Sequence, residues 1–433
     1  MNSSSSISRK QTIGWLVLLA AGGTFAVTMG ARQSMGLFLN ALNTSTGLGL
    51  ASISLAFAVG QLWWGLTQPF AGMAADRFGS GRVLVVGLSM IALGTALTPF
   101  MRTTPGLIFT LGILASGGAG LAGPSVLLSS VMRLLPPEKR GVSTGIVNAG
   151  GSFGQFIFAP IAAAITALAG WVIAVQAVAA LVLLALPAAW VLRGTMRSMA
   201  AAEIASGKAG GAADDAAAKS AAKESAGVVL KRALTNPSYL YLCIGFAVCG
   251  FHVAFIAVHL PGVVVACALP AAVGAWALGT VGLFNIVGSL LMGWAMGFRG
   301  GIWRMKSLLS LVYASRAVAV VIFMLAPKTE VTMLVFSAVI GLTYLSTVPP
   351  TAGLVARFFG TQHMGLLFGV IMLAHQLGGF MGAYMGGKAF EWTGSYDWMF
   401  YVDVLLAVGA ALIHLPIKEQ SRVPVGATPA LAR

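Results

Sequence analysis

Long apolar stretches alternate with short polar segments along the whole chain. A helix that crosses a bilayer needs roughly 20 mostly apolar residues, and twelve stretches are long enough. Six precede a polar segment at residues 193–236 and six follow it. The pattern predicts an all-α integral membrane protein with twelve transmembrane helices in two six-helix bundles. The predicted helices cover residues 13–39, 52–75, 83–101, 106–132, 141–168, 171–192, 238–260, 270–297, 307–326, 331–356, 365–388 and 398–417.

The same pattern divides the chain into domains. We predict one bundle at residues 1–192 and a second at 237–419. The segment 193–236 is rich in alanine and holds seven lysines or arginines, a composition typical of a solvated linker. Residues 420–433 are polar and contain proline, so we expect a disordered cytoplasmic tail.

The placement of the basic residues predicts the orientation. The chain has 26 lysines and arginines against 11 acidic residues, a net charge of +15. A nucleic-acid-binding protein would gather them in a patch, but here they lie between the apolar stretches. If the N-terminus is inside, 21 of the 26 are cytoplasmic. The positive-inside rule therefore predicts a protein of the inner membrane with both termini in the cytoplasm, and we expect no nucleic-acid partner.

The two halves carry a repeat. Both halves have an even number of spans and begin on the same side, so they share one orientation. Parallel repeats of this kind are typical of transporters with a site between two bundles near the midplane. The architecture therefore predicts alternating access. Four positions are matched at a constant offset of 224 residues: Arg133 with Arg357, Gly141 with Gly365, Gly145 with Gly369, and Gly154 with Gly378.

Residues 72–82 (GMAADRFGSGR) lie between the second and third stretches. With the layout of six plus six helices, this segment resembles the signature loop of the major facilitator superfamily, and the resemblance covers nearly the whole chain. It implies the major facilitator fold. In that family the loop is a gate latch, so the resemblance implies a conformational role for Asp76, Arg77 and Arg82. A charged turn that serves only topology is the alternative.

Within that superfamily the chain is similar to the monocarboxylate transporters and their bacterial oxalate/formate relatives. Residues 30–38 (GARQSMGLF), after Gly14 and Trp15, match a first helix with a cation near its outer end, and residues 139–150 match the fifth-helix motif. The family position of Arg32 implies substrate binding. Where many members carry an Asp and, four residues later, an Arg in the eighth helix, this chain has Asn285 and Ser289. Neither titrates near neutrality, which argues against proton coupling by the family's usual pair.

Polar side chains inside the membrane are functional candidates, because an arginine at the bilayer centre costs about 2.5–3.5 kcal/mol. Arg32, in the outer half of the first predicted helix, could clamp a carboxylate through two parallel hydrogen bonds. Snorkelling to the outer interface is the alternative. For neutral groups the alternative is a hydrogen bond between helices. The predicted substrate-binding residues are Arg32, Asn148, His252, Asn285, His375 and Gln376.

Three histidines are candidates for proton coupling, because histidine titrates near physiological pH. His252 and His259 are seven residues apart and share one face of the seventh helix, and His375 lies in the eleventh. Hydrogen-bonded packing histidines are the alternative.

Two further features concern the second half. Arg316 and Asp403 lie at similar depths in the ninth and twelfth helices, and we predict a structural ion pair. Pro349 and Pro350 remove backbone hydrogen bonds in the tenth helix, which predicts a gate hinge.

These observations favour a secondary active transporter of a small organic anion, most simply a monocarboxylate, working as a proton symporter or an anion exchanger. The predicted helices before the twelfth contain no acid, so cationic substrates are disfavoured. An exporter of amphipathic compounds is the alternative within transport. A membrane enzyme or sensor is disfavoured because the chain shows neither a catalytic constellation nor a signalling domain. We expect a monomer in contact with membrane lipid, without cofactor or metal.

Overall fold

The computed structural model describes residues 3–134, 140–192, 226–297, 303–360 and 364–419. Within these ranges, twelve helical segments are long and apolar enough to cross a membrane. The fold is therefore all-α and multi-pass, as the hydropathy pattern predicted. The spans are α1 (Trp15–Thr46), α2 (Leu50–Ala75), α3 (Ser80–Phe100), α4 (Thr104–Leu127), α5 (Gly145–Ala169), α6 (Trp171–Leu192), α7 (Pro237–Ala266), α8 (Ala271–Gly297), α9 (Met305–Leu325), α10 (Glu330–Phe359), α11 (Leu366–Thr393) and α12 (Asp397–His414).

The predicted linker at 193–236 falls mostly outside the described residues; its last part contains a short helix, Ala226–Leu234. The predicted tail at 420–433 lies wholly outside them. We call the membrane face that carries the start of α1 and the end of α12 the terminus side, and the opposite face the far side. Odd-numbered spans run from the terminus side to the far side, and even-numbered spans run back.

The first span is longer than its apolar stretch. The sequence placed its end near residue 39, whereas α1 continues to Thr46 through a 3₁₀ turn at Met35–Phe38. The last turn is closed by the hydroxyl of Thr46, which donates to the carbonyl oxygen of Leu42 (2.6 Å), and Gly47 ends the helix with φ of +69°. Arg32 consequently lies near the middle of the span.

Two spans are broken at prolines. Within α10, an α-helix over Glu330–Thr343 is followed by a second one over Val348–Phe359, which Pro349 and Pro350 open. Within α4, the helix that starts at Pro124 likewise follows a break. Proline is accepted in the first turn of a helix because its missing N–H would have no partner there. The predicted discontinuity in α10 is present, and α4 repeats it in the first half.

The apolar side chains form two main cores. One is built mainly from α1 to α6 and includes Leu84, Leu88 and Val178; the other is built mainly from α7 to α12. In the second, the rings of Phe323 and Phe336 stack with centroids 4.2 Å apart. Within lipid these helices are held together by close packing, since lipid tails are as apolar as the side chains.

The repeat in the sequence corresponds to a repeated helix contact. A Cβ atom added to Gly154 would overlap the carbonyl oxygen of Ala26, and one added to Gly378 would overlap that of Ala247. The first contact joins α5 to α1 and the second joins α11 to α7. The matched glycines therefore make the same backbone-to-backbone crossing in both bundles.

Helices α2, α5, α8 and α11 form most of the contact between the bundles, α2 against α11 and α5 against α8, and α1 also touches α7 at Gly36. Toward the far side this contact is tight: a Cβ on Gly387 of α11 would lie 2.7 Å from the carbonyl oxygen of Leu50. Toward the terminus side the four helices separate. Each has a glycine there with nothing within 4 Å of an added Cβ: Gly72, Gly145, Gly293 and Gly369. From these contacts we infer that, among the described residues, the bundles are closed on the far side and parted on the terminus side.

Candidate anion-binding site

A cavity lies beside Arg32 at the middle of the membrane. It is bounded by α1, α2, α3 and α4 of the first bundle and is closed by Ala257 and Val258 of α7. The volume of the cavity is about 40 Å³. One water needs about 10–15 Å³ on this measure, so the cavity has room for a few water-sized groups. It is lined by Arg32, Gln33, Met35, Gly36, Phe57, Gln61, Ile91, Thr95, Leu111, Ala115, Ser116, Ala257 and Val258.

Arg32 is held in place by two residues of α2. Its Nη2 donates a hydrogen bond to Oε1 of Gln61, and its guanidinium carbon lies 4.5 Å from the centroid of the Trp64 ring. Both partners are neutral, so they orient the guanidinium without cancelling its charge. The Nε atom of Arg32 is buried and has no hydrogen-bond partner. An anion that enters the cavity therefore meets a fixed positive charge with a free donor.

The fourth helix contributes an irregular wall. Residues Ile108–Ala115 form a π-helix, and the hydroxyl of Ser116 donates to the carbonyl oxygen of Leu111, five residues earlier (2.8 Å). π-Helical segments are frequent at functional sites because they displace side chains from the regular helical positions. Here the segment brings Leu111, Ala115 and Ser116 to the cavity.

Asn285 bridges three helices. Its Nδ2 donates to Oγ of Ser152 in α5 (2.8 Å), and its Oδ1 accepts from the backbone N–H of Leu345 in α10 (3.1 Å). The first of these bonds joins the two bundles. Asn148 lies one turn from Ser152 on the same face of α5 and is exposed, in the region where the bundles part. Neither asparagine is among the residues that line the cavity.

His375 and Gln376 lie in α11, buried against the neighbouring helices. Gln376 packs over Gly65 of α2, and neither its Oε1 nor its Nε2 has a hydrogen-bond partner. Nδ1 of His375 is likewise buried without a partner. An unpaired buried amide costs about 1–3 kcal/mol, so these groups are available to a ligand that reaches the interface.

The predicted ion pair between Arg316 and Asp403 is wrong in its geometry. No direct salt bridge joins these two described residues; His252 lies between them instead. Nη1 of Arg316 is 2.9 Å from Nδ1 of His252, and Nε2 of His252 is 3.0 Å from Oδ1 of Asp403. Their similar depths in α9 and α12 predicted a direct contact between the two side chains. The imidazole of α7 lies between them instead.

The two histidines of α7 that are candidates for proton coupling have different surroundings. His252 belongs to this buried chain of polar groups inside the second bundle and not to the cavity. His259 is fully buried, and its Nε2 lies 2.7 Å from the carbonyl oxygen of Ala383 in α11. Its ring also packs against Tyr396 and Phe255. This is the hydrogen-bonded packing arrangement that the sequence left open as the alternative.

Comparison with known proteins gives the family. Residues 20–383, most of the chain, match the model of the Major Facilitator Superfamily. The chain belongs to this superfamily. Its fold agrees: a bacterial homologue of the human lysosomal transporter Spinster, in an inward-facing and unoccupied conformation, superposes with a TM-score of 0.74 at 13% identity, covering 93% of this chain and 96% of the other. A D-xylose–proton symporter superposes with a TM-score of 0.64 at 16% identity, covering 95% and 98%.

Relatives in sequence are superfamily transporters. The MFS-type transporter YcxA of Bacillus subtilis (strain 168) is 24% identical over 93% of this chain and 94% of its own length. Monocarboxylate transporter 13 of Rattus norvegicus is 22% identical over 93% and 89%. The oxalate:formate antiporter of Oxalobacter formigenes is 27% identical over 36% of this chain and 37% of its own.

The residues that resemble the superfamily's signature loop lie at the end of α2 and the start of α3. The helix that begins at Leu50 runs to Phe78, so Asp76 and Arg77 are in its last turn. Gly79, with φ of +88°, separates it from a helix that starts at Ser80 and contains Arg82. Arg77 and Arg82 are exposed, on the side where the bundles part.

Several cavity residues were not singled out from the sequence. Gln61, Thr95 and Ser116 line the cavity but are not among the predicted substrate-binding residues, and neither is Trp64, which contacts Arg32. A signal existed for two of them, since Gln61 and Trp64 are three residues apart and share a helix face. Thr95 and Ser116 gave no signal, because a hydroxyl in a membrane helix usually bonds to its own backbone.

Proposed function

We propose that the protein is a secondary active transporter of a small organic anion, most simply a monocarboxylate. The observation that carries the proposal is the charge of the cavity. Arg32 contributes a full positive charge, its hydrogen-bond partner is an amide, and the described residues that line the cavity include no carboxylate. A positive charge in a low-dielectric site selects anions strongly. The names of two relatives, an oxalate:formate antiporter and a monocarboxylate transporter, support the same substrate class.

We propose further that transport proceeds by alternating access in a bacterial inner membrane, with both termini in the cytoplasm. The parallel repeat and the parting of the bundles on one side support this mechanism. The excess of basic residues in the terminus-side segments supports the orientation. In this assignment the structure is open to the cytoplasm, and Asp76, Arg77, Arg82, Pro349 and Pro350 are gate residues.

An exporter of amphipathic compounds fits less well. Such a substrate needs a large apolar chamber, whereas pockets for drug-sized ligands measure about 300–1,000 Å³ and the cavity beside Arg32 is about 40 Å³. The cavity also carries a charge that an apolar compound would leave unpaired.

Uptake by purified protein in liposomes tests the function. We expect uptake of at least one of formate, acetate, lactate and oxalate, and none of choline or of a neutral amphipathic dye. Each compound is measured with and without a pH gradient, and with each carboxylate preloaded inside, which separates symport from exchange. Transport of the dye without transport of any carboxylate would contradict the proposal.

The far side carries a contact suited to a gate. Oε1 of Glu391 in α11 accepts a hydrogen bond from the backbone N–H of Ala51 in the first turn of α2 (2.9 Å). The α2 N-terminus has no side-chain cap of its own, since Gly49 precedes it. A carboxylate from the second bundle thus caps a helix of the first, which stabilises the closed far side through hydrogen bonding and the helix dipole.

We expect Glu391→Ala to shift the population toward a far-side-open state. The loss of the cap and of its charge is worth about 1–2 kcal/mol, or roughly five- to thirtyfold in population. The measurement is labelling of Ser54→Cys by a membrane-impermeant maleimide, in a background without the three native cysteines. Ser54 is fully buried beside Gly387. Glu330→Ala is the matched control, since Glu330 lies on the same side in the first turn of α10. Equal labelling in the two variants would refute the gate role.

A further inference from the structure

Three polar side chains from three helices form a continuous buried chain inside the second bundle. Arg316 of α9, His252 of α7 and Asp403 of α12 are exposed by only 1%, 3% and 1%. Among the residues with described burial, Asp403 is the only acid that is fully buried. We call these three side chains the relay.

The hydrogen bonds fix the protonation of the imidazole. A guanidinium only donates, so Nδ1 of His252 must accept from Nη1 of Arg316 (2.9 Å). The proton of the neutral ring is then on Nε2, which donates to the backbone oxygen of Asp403 (3.2 Å) and lies 3.0 Å from Oδ1 of the same residue. A neutral imidazole therefore separates a cation from a carboxylate.

One oxygen of the relay is free to take a proton. Oδ1 of Asp403 is buried and lies 3.0 Å from Nε2 of His252, but the N–H of that ring is directed to the backbone oxygen, so Oδ1 receives no hydrogen bond. A buried carboxylate with a purely structural role normally has its oxygens satisfied. A second proton on His252 would have to displace the hydrogen bond from Arg316 at Nδ1. Protonation of the carboxylate breaks no hydrogen bond.

We propose that Asp403 is the proton-binding residue of this transporter and that the protein is a proton–anion symporter. The inference rests on the proposed function and decides between its two coupling modes. One proton binds to the carboxylate and gives a carboxylic acid. The buried charge of Arg316 then lacks its counter-charge, so an anion nearby is favoured. By thermodynamic reciprocity, a bound anion favours the protonated acid.

The relay is connected to the interface between the bundles. Nη2 of Arg316 donates to the carbonyl oxygen of Thr343 and, at 3.4 Å, to that of Tyr344, where α10 breaks. The next residue, Leu345, donates its N–H to Asn285, which binds Ser152 of the first bundle. Tyr344 is also within electrostatic reach of Arg32. A change of charge at Asp403 can therefore reach both the broken helix and the cavity.

Other titratable side chains surround the relay, and none of those in the described part of the chain is a second carboxylate. Helices α7, α9, α10 and α11 and the end of α12 contribute Cys249, Tyr313, Tyr344, His375 and His414. His375 lies within electrostatic range of both Arg316 and Arg32.

The test compares Asp403→Asn, which keeps the shape of the acid, with Asp397→Asn, which removes an exposed acid from the same helix. Formate, acetate, lactate and oxalate are used as probes in liposomes. For Asp403→Asn we expect uptake driven by a pH gradient to fall by about tenfold or more, while exchange of internal for external carboxylate persists. Asp397→Asn is expected to behave as wild type. Gradient-driven uptake that survives in Asp403→Asn would overturn the inference.

Infrared difference spectroscopy on a step to acidic pH provides a readout without substrate. A carbonyl band of a buried carboxylic acid is expected in wild type and in Asp397→Asn, and is expected to be missing in Asp403→Asn. Its absence from wild type would refute the proton site even if Asp403→Asn failed to fold. If wild type exchanges carboxylates but ignores a pH gradient, the inference fails and the proposed function stands. If no carboxylate is transported at all, the proposed function fails, and the infrared band alone decides on Asp403.

Discussion

Replacement of Arg32 by glutamine is expected to abolish carboxylate transport while leaving a folded protein. The substitution removes the positive charge of the cavity and the free Nε donor. Loss of one partner of a desolvated charge pair costs about 2–5 kcal/mol, so uptake should fall by at least about thirtyfold. The fold is retained because the change removes only the contact with the Trp64 ring and the donor to the Gln61 amide, and an unpaired amide costs about 1–3 kcal/mol.

Arg102→Gln is the matched control for this prediction. It removes the same charge from an exposed position, where Arg102 donates to the carbonyl oxygen of Ser45 (2.6 Å), and transport is expected to continue. Arg32→Lys should give an intermediate rate, since lysine keeps the charge but cannot bind a carboxylate with two parallel bonds. Uptake at the normal rate by folded Arg32→Gln would remove the basis for an anion site.

The second large effect concerns the matched glycines. Gly154→Ala and Gly378→Ala are each expected to destabilise the protein strongly, because the new methyl group would overlap a backbone carbonyl of the facing helix, at Ala26 or Ala247. Overpacking a tight contact costs about 1–3 kcal/mol or more, and here the obstacle is backbone, which cannot move aside as a flexible side chain would. Loss of monodisperse protein on heating, followed by fluorescence-detected gel filtration, measures the effect.

The repeat itself supplies the controls. Gly145 and Gly369 occupy matched positions on α5 and α11, and an added methyl group would meet nothing within 4 Å. Alanine at either position is expected to change stability by less than about 0.5 kcal/mol. Should all four variants melt together with wild type, the repeated crossing would not be the structural element described above.

The fold was predictable because the hydropathy pattern depends on the sequence alone. Each span must cover the apolar thickness of the membrane, so the twelve helices are visible as runs, and the constant offset between glycines reveals the repeat. The predicted end of a helix is wrong where the helix continues past its apolar stretch. The end of α1 is one example, because Thr46 and Gly47 determine it through hydrogen bonding and backbone conformation.

The site was predictable only in part. The hydropathy pattern predicts how deep each polar residue lies in the membrane. It does not predict how each helix is rotated about its axis, because packing determines that rotation. Arg32 was therefore predicted to bind substrate only because of its position in the motif that resembles the family. His252 was predicted to bind substrate, yet it lies between Arg316 and Asp403. The contact of Trp64 with Arg32 depends on how α1 and α2 are placed side by side, which no single helix encodes.

The cavity and the glycine crossings occupy different residues, and α5 contributes no side chain to the cavity wall. A substitution at Thr95 therefore changes the cavity wall without touching the backbone crossings at Gly154 and Gly378. The chemistry of the cavity can vary while these two crossings keep each bundle assembled.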